Sequence, residues 1–316
     1  MIPSDPGSAT PHSPGRPPGS LTLSAEAVRA AREVLRSHLP PTPLRRSSAL
    51  RGMDAYLKLE CWQPTGSFKV RGAISCLASL SDEERSRGVV AASAGNHALG
   101  VAFAAQVLGG SLAVTLFVPR TAPRAKVEKL REFPVTVVEE GETYDDAFAA
   151  AQLHVARTGA TYVHAYDDVR TAAGQGTVAL EILEQRPDTA AFVVPVGGGG
   201  LITAMAVAAR AVVPGIRIVA VQPEASPALR ESIDRGQALH EYPAGPTLAD
   251  GLSGGIGDLV FAYRHLIDEV ISVSESEIQD AIVALLTDDQ VLAEGSGAVG
   301  VAALRSGRVA GLGGRV

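Results

Sequence analysis

Residues 88–109 read GVVAASAGNHALGVAFAAQVLG: a short apolar run, a turn of small and polar residues, and then a helical pattern. The next segment, SLAVTLFVP (111–119), has the β-branched and aromatic residues of a second buried strand. The alternation continues through PRAKVEKLREF (123–133), VTVVEE (135–140), YDDAFAAAQLHVAR (144–157) and TYVHAY (161–166). Strands that alternate with helices of about 10–15 residues predict a parallel sheet with helices on both faces.

A second series of the same kind lies further along the chain. Its predicted strands are AFVVPV (191–196), IRIVAVQPE (216–224) and residues 270–273, and its predicted helices are GQGTVALEILEQR (174–186), LITAMAVAARAVV (201–213) and residues 276–286. The first 80 residues add a helix capped by Ser24, the strand AYLKLE (55–60) and a helix over about 70–80.

These two series predict an α/β protein with two domains. We expect residues 21–80 and 163–316 to form a large domain, and residues 81–162 to form a small α/β domain inserted into it. Residues 1–20 are rich in proline, serine and glycine, which predicts a disordered tail.

The composition excludes several classes of protein. The net charge of −6, without a block of lysine or arginine, disfavours nucleic acid as the main partner. No uninterrupted apolar stretch reaches the length of about 18 residues that a membrane helix requires. The two cysteines, Cys61 and Cys76, have no metal-binding or CxxC spacing, which favours a reducing cytoplasm.

Four consecutive glycines, Gly197, Gly198, Gly199 and Gly200, follow an apolar strand and open a predicted helix. The free N–H groups of a helix start and the positive end of its dipole suit an anion, and glycine lets the backbone approach closely. A flexible turn and a dinucleotide fingerprint, with Glu224 on the ribose, are the alternatives. Because Ile202 or Thr203 stands where GxGxxG needs its third glycine, a single phosphate fits better.

The turn of the opening stretch has the same placement between a strand and a helix. It consists of Ser93, Ala94, Gly95, Asn96 and His97. Its side chains and free N–H groups would suit a carboxylate. Helix capping by Ser93 or Asn96, with His97 packed in the core, is an equally good interpretation of these residues alone.

The segment QPTGSFKVRGA (63–73) places Lys69 between Phe68 and Val70 at the start of a helix. A lone lysine on a helix is normally solvated, but a lysine kept from water becomes a usable amine nucleophile. An amine, a cradle for one phosphate and a carboxylate-binding turn together indicate pyridoxal phosphate holding an amino acid. In such a site the cofactor supplies the chemistry and the protein orients it.

Six segments in this order resemble the serine/threonine dehydratase and serine racemase family: LECWQPTGSFKVRGA, ASAGNHALG, GQGTVALEIL, VVPVGGGGL, TLADGLSGGIG and EGSGAVGVAAL. The resemblance covers residue 40 to the end. It implies the tryptophan-synthase-β-like fold, which is fold type II of pyridoxal-phosphate enzymes, with parallel-rich sheets flanked by helices.

The resemblance also implies roles for individual residues. Lys69 would attach the cofactor covalently and then act as the base at the substrate Cα, while Phe68 packs beside the ring and Asn96 binds its 3′-oxygen. Glu294 would lie near the ring. The implied cofactor-binding residues are Phe68, Lys69, Asn96, Gly197, Gly198, Gly199, Gly200 and Glu294, and the implied substrate-binding residues are Ser93, Ala94, Gly95, Asn96 and His97.

Three departures from the family pattern narrow these expectations. Ala94 stands where similar racemases carry a serine as their second acid/base, so we expect elimination without racemisation. Gln222 and Ala228 stand where metal-dependent members carry carboxylates, so we expect no divalent metal there, although Glu224 is nearby. The sequence stops at GLGGRV, whereas family members continue into a buried strand and a hydroxyl or thiol that binds the pyridine nitrogen.

The expected activity is removal of the β-hydroxyl and the amino group from L-threonine or L-serine, giving a 2-keto acid and ammonia. Alternatives are a serine racemase, a dehydratase of a bulkier β-hydroxy amino acid such as a phenylserine, a catalytically impaired cofactor-binding homologue, and a nucleotide-dependent oxidoreductase. The family also implies a homodimer.

Overall fold

The computed structural model describes residues 22–309 and residue 316. The predicted disordered tail over residues 1–20 lies outside these residues. The α-helices of the described part are α1 (Ala25–Arg36), α2 (Lys69–Ala78), α3 (Asp82–Arg87), α4 (Asn96–Leu108), α5 (Arg124–Arg131), α6 (Tyr144–Thr158), α7 (Val169–Gln185), α8 (Gly200–Arg210), α9 (Ala228–Arg235), α10 (Asp258–Ala262), α11 (Glu275–Asp288) and α12 (Gly295–Arg305).

The strands of the described part form three sheets. They are β1 (Leu44–Arg46), β2 (Tyr56–Lys58), β3 (Val89–Ala92), β4 (Val114–Val118), β5 (Thr136–Glu139), β6 (Thr161–Tyr162), β7 (Ala191–Pro195), β8 (Arg217–Pro223) and β9 (Glu269–Val273). The order β5-β4-β3-β6 gives one all-parallel sheet, and β7-β8-β9 gives a second. Strands β1 and β2 form an antiparallel pair. The predicted α/β class with parallel sheets is therefore confirmed.

The four-stranded sheet comes entirely from residues 89–162, inside the block that the sequence predicts as a small domain. Its core, however, also includes Val70, Ile74 and Leu77 of α2 and Leu35 of α1. Helix α2 therefore packs against both the small block and α7. The assignment of residues 21–80 to the large domain stays a prediction.

Local sequence explains where several helices begin. The Ser24 hydroxyl accepts a hydrogen bond from the Ala27 N–H, so the predicted cap of α1 is confirmed. Helices α3, α6 and α11 each begin with a capping box, formed by Ser81 with Glu84, Thr143 with Asp146, and Ser274 with Glu277.

Two differences from the sequence expectation have physical causes. The predicted strand TYVHAY pairs only over Thr161–Tyr162. The His164 ring accepts hydrogen bonds from the N–H groups of Tyr166 and Asp167, so the chain turns there. The sequence pattern does not predict helix α12, since Gly295 and Gly300 have poor helix propensity. Close packing decides its conformation instead: a Cβ on Gly295 would lie 2.0 Å from the Leu248 carbonyl oxygen.

None of the helices in the described part is long and apolar enough to cross a membrane. Cys61 and Cys76 are both free thiols.

Candidate active site

Lys69 is the first residue of α2, and two neighbouring helices hold this end of α2 in place. A Cβ on Gly100 of α4 would lie 3.0 Å from the Lys69 carbonyl carbon, and a Cβ on Gly72 would lie 2.6 Å from the Thr171 oxygen of α7. Because both positions are glycine, three helix backbones approach closely at the point where Lys69 enters the site.

The Lys69 amine points into the protein and has one carbonyl partner. Its Nζ donates to the Ala165 oxygen at 3.0 Å and lies 5.4 Å from the centre of the Phe68 ring. Burial lowers the pKa of Lys69 from 10.5 to about 8, and the negative charge of Glu294 partly opposes this decrease. Far more of the amine is therefore uncharged near neutral pH than in a solvated lysine, as a nucleophile or base requires.

A buried ion network supports α2 behind the lysine. The Arg71 side chain is fully buried and donates to both oxygens of Glu60 and both oxygens of Glu181, at 2.7–2.8 Å. Lys58 donates to the same Glu181 at 2.7 Å. Burial opposes the ionised form of Glu181, but hydrogen bonds from Arg71 and Lys58 hold its pKa below the ordinary value. Such a network is costly to break, so it fixes the register of α2.

The four glycines form the predicted turn between β7 and α8. Gly199 has φ of 92°, in the left-handed region that favours glycine. A Cβ on Gly198 would lie 2.3 Å from the Tyr166 ring, and a Cβ on Gly200 would lie 2.6 Å from the Tyr166 carbonyl oxygen. These contacts explain the glycines, and the first N–H groups of α8 make the turn a suitable anion cradle.

Gln222, in β8 of the three-stranded sheet, ties this turn to the first residues of α9. Its fully buried amide donates to the Val196 oxygen at 3.3 Å and accepts from the N–H groups of Leu229 and Arg230 at 3.1 and 3.2 Å. Val196 directly precedes Gly197, so Gln222 fixes the start of the cradle. Among the described residues, no group of three His, Cys, Asp or Glu could hold a metal ion, and the expected absence of a metal stays a prediction.

The turn from Ser93 to His97 joins β3 to α4, as the sequence predicts. The Ser93 hydroxyl accepts from the Gly95 N–H at 3.1 Å, while Asn96 and His97 are the first residues of α4. His97 is only 4 % exposed, and its Nε2 lies 2.8 Å from the Val163 oxygen. Burial and the nearby Lys69 lower the pKa of His97 to about 3. Because the Val163 oxygen can only accept, Nε2 carries the proton of the uncharged ring, and Nδ1 is left to accept a hydrogen bond from a ligand.

Glu294 and Asn96 meet although they are 198 residues apart in sequence. The Asn96 amide donates to both carboxylate oxygens of Glu294, at 3.0 and 3.2 Å. Glu294 also directly precedes α12, and its negative charge partly opposes the decrease in the pKa of Lys69. The start of α4, the start of α12 and the Lys69 amine are therefore neighbours.

Sequence reasoning missed the segment that connects the amine with the glycine turn. We call His164, Ala165, Tyr166 and Asp167 the 164–167 turn. Ala165 accepts from Lys69, and the next residue, Tyr166, packs on Gly198 and Gly200. Its position after the last strand of a parallel sheet, where ligand sites concentrate, was the signal that could have identified it.

Comparison with known proteins agrees with this geometry. Residues 35–315 match the family described as pyridoxal-phosphate dependent enzyme. An L-threonine ammonia-lyase of Thermotoga maritima is 46% identical over 287 residues, which cover 89% of this chain and 71% of that protein.

Two solved structures have the same fold. Maize serine racemase has a TM-score of 0.85 at 36% identity, covering 89% of this chain and 86% of that one. A threonine deaminase from T.th. has a TM-score of 0.83 at 35% identity, covering 90% of this chain and 92% of that one. The predicted fold, that of fold type II, is confirmed, and the chain belongs to the pyridoxal-phosphate-dependent enzyme family.

Proposed function

We propose that the chain removes the β-hydroxyl and the amino group from L-threonine or L-serine, giving a 2-keto acid and ammonia. One observation carries the proposal. The Lys69 amine lies 3.0 Å from the Ala165 oxygen, and the adjacent Tyr166 covers the glycine turn. The amine and the phosphate cradle therefore contact two consecutive residues, Ala165 and Tyr166.

The residues present fit pyridoxal phosphate. In the glycine turn, the places that Cβ atoms would take are filled by Tyr166, Val260 and Leu252, so only glycine lets this backbone present its N–H groups to a phosphate. The buried hydroxyls of Thr65 and Ser67 and the Nδ1 of His97 have no hydrogen-bond partner within the described part of the protein, so the region around Lys69 holds polar groups for a ligand. Lys69 has the lowered pKa that covalent attachment to an aldehyde requires.

Each predicted residue then has a role in the reaction. Lys69 would hold the cofactor in the resting protein, and its amine, freed when the substrate amine replaces it, would take the proton from the substrate Cα. The bound cofactor would supply the electron sink that makes this proton acidic. The residues of the glycine turn, Gly197, Gly198, Gly199 and Gly200, hold the phosphate. Phe68 packs beside the ring, Asn96 donates to the ring oxygen, and Glu294 orients Asn96 through the bonds described above.

The substrate carboxylate binds at the turn of Ser93, Ala94, Gly95, Asn96 and His97. The backbone N–H groups of this turn and the Ser93 hydroxyl bind the carboxylate, because the uncharged His97 offers no positive charge. Ala94 has no titratable group, so the turn offers no acid/base at this position. This favours elimination over racemisation, although a serine racemase is among the similar structures. A bulkier β-hydroxy substrate is the remaining alternative.

The nucleotide-dependent oxidoreductase considered from the sequence is not supported, because the family match is to pyridoxal-phosphate enzymes. We propose in addition that the protein acts in the cytoplasm as a homodimer with no nucleic acid partner. Light scattering of the purified protein tests the dimer.

The experiment is keto-acid formation by the purified protein with L-threonine, L-serine and a phenylserine. We expect turnover of threonine or serine by the wild type. Lys69→Ala should lower the rate of keto-acid formation by at least about a thousandfold. The exposed Lys126 provides the matched control, Lys126→Ala, which should retain full activity. A wild-type protein that binds the cofactor but forms no keto acid would instead be the impaired homologue.

A further inference from the structure

The 164–167 turn holds together three parts of the site. Ala165 accepts from the Lys69 amine at 3.0 Å, and Tyr166 packs its ring on Gly198 and its carbonyl on Gly200. At its end, the Asp167 carboxylate accepts from the Leu259 N–H at 2.8 Å and so joins the turn to α10. A change in the shape of this turn would move the lysine and the glycine turn relative to each other.

One side chain closes the turn. The Nδ1 atom of His164 accepts from the Tyr166 N–H at 3.3 Å and from the Asp167 N–H at 2.9 Å. The imidazole also lies edge-on to Tyr166, with ring centres 4.6 Å apart, and to Tyr162, at 6.0 Å. Both backbone groups are donors, so Nδ1 must carry a lone pair. An imidazolium has N–H at both nitrogens and can accept neither bond.

The surroundings of His164 favour the uncharged ring. Burial lowers the pKa of His164 most strongly, and the positive charge of Lys69 acts in the same direction, whereas Asp167 and Asp168 oppose the decrease. His97, which also faces it, is uncharged at neutral pH. Because the pKa of His164 lies below the ordinary histidine value of about 6.5, the two hydrogen bonds are intact at neutral pH and are lost only as the pH falls through this lowered pKa.

We propose that His164 is a positioning residue: its uncharged ring shapes the 164–167 turn and thereby holds the Lys69 amine and the glycine turn at the correct separation for the cofactor. This inference rests on the proposed function only in the assignment of Lys69 and the glycine turn to the cofactor. Protonation of His164 then weakens cofactor binding without any change in a group that touches the cofactor.

Two substitutions of His164 separate the effect of its hydrogen-bond acceptor from the effect of its protonation. In His164→Asn, the side-chain oxygen can occupy the place of Nδ1 and accept the same bonds, but it does not titrate. In His164→Leu, the acceptor is lost at every pH. The exposed His265 gives the control His265→Asn, which removes a histidine that does not accept hydrogen bonds within the turn.

The measurement is the affinity for pyridoxal phosphate from about pH 8 down to about pH 4, because the pKa of His164 lies below 6.5. The visible absorption of the bound cofactor reports this affinity, and keto-acid formation is measured alongside it. The cofactor phosphate and Lys69 titrate in all variants and cancel in the ratio to wild type. We expect wild type and His265→Asn to lose affinity relative to His164→Asn by up to about tenfold per pH unit below the pKa of His164. His164→Leu should bind weakly throughout.

Equal pH dependence of wild type and His164→Asn would overturn the inference, as would equal losses in His164→Asn and His164→Leu at all pH values. If the variants fail to fold, nitrogen NMR of the wild-type histidines still decides: His164 must carry its proton on Nε2 at neutral pH, and a proton on Nδ1 refutes the inference. A wild type that binds no cofactor at any pH would refute the proposed function instead.

Discussion

Replacing Lys69 with methionine should stabilise the cofactor-free protein at neutral pH, although it removes the proposed catalytic amine. The difference between the ordinary lysine pKa of 10.5 and about 8 corresponds to about 3 kcal/mol of unfavourable burial of the charged amine. Part of the side chain remains accessible to solvent, which reduces this cost. The lost hydrogen bond to Ala165 removes about 1 kcal/mol. We therefore expect a net gain of about 1–2 kcal/mol in the free energy of unfolding.

The gain should depend on pH in a defined way. Below about pH 8, Lys69 is charged in both the folded and the unfolded chain, so the folded protein bears the full cost. Between about 8 and 10.5, the unfolded chain binds more protons, and the stability of the wild type therefore rises with pH. The advantage of Lys69→Met should shrink over this range and reverse near pH 10.5, where the burial cost is gone and the lost hydrogen bond of about 1 kcal/mol remains.

Urea unfolding of cofactor-free wild type and Lys69→Met, followed by circular dichroism at about pH 7, 8.5 and 10, measures this difference. Lys126→Met is the matched control, because Lys126 is exposed and its loss should not stabilise the fold. The reasoning is refuted if Lys69→Met is less stable at pH 7, or if its difference from wild type is the same at all three pH values.

Three further predictions concern the site. Gly198→Ala places a methyl group 2.3 Å from the Tyr166 ring, so pyridoxal phosphate should bind about 10- to 100-fold more weakly in a spectroscopic titration. Glu294→Gln removes a negative charge that raises the pKa of Lys69, so the acid limb of the pH–rate profile should move to lower pH. Because residue 94 is alanine, chiral chromatography should find little or no conversion of L-serine to D-serine.

Each of these has a control or a contradicting result. A Cβ on Gly215 would meet no atom within 4 Å, so Gly215→Ala should bind the cofactor normally. An acid limb that moves to higher pH in Glu294→Gln would contradict the assigned effect of its charge. A rate of racemisation comparable to keto-acid formation would show that another residue replaces the missing hydroxyl.

Much of the fold follows from local pattern. Buried parallel strands such as β3 and β8 have continuous apolar sequences, and Ser24 is a cap in a favourable position, so these elements can be located from the chain alone. Helix α12 could not be located, because Gly295 is required by contact with Leu248, which is distant in sequence. Propensity does not include such contacts.

The site was predictable to the extent that single segments carry chemistry. The lysine and the glycine turn were each visible in the sequence, and the structure brings both to one turn of the chain. The role of His164 depends on two hydrogen bonds that its ring accepts from backbone N–H groups, and no residue pattern predicts these bonds. The pairing of Asn96 with Glu294 likewise joins two helix starts that only the folded chain brings together.

The central claim is that Lys69 and the glycine turn hold opposite ends of one pyridoxal phosphate molecule. Borohydride reduction of the purified protein with bound cofactor, followed by peptide mass spectrometry, tests it most directly. We predict that the pyridoxyl mass is found on the peptide containing Lys69 and that Gly198→Ala reduces its yield. Labelling of Lys58 or Lys126 with Lys69 unmodified would contradict the claim.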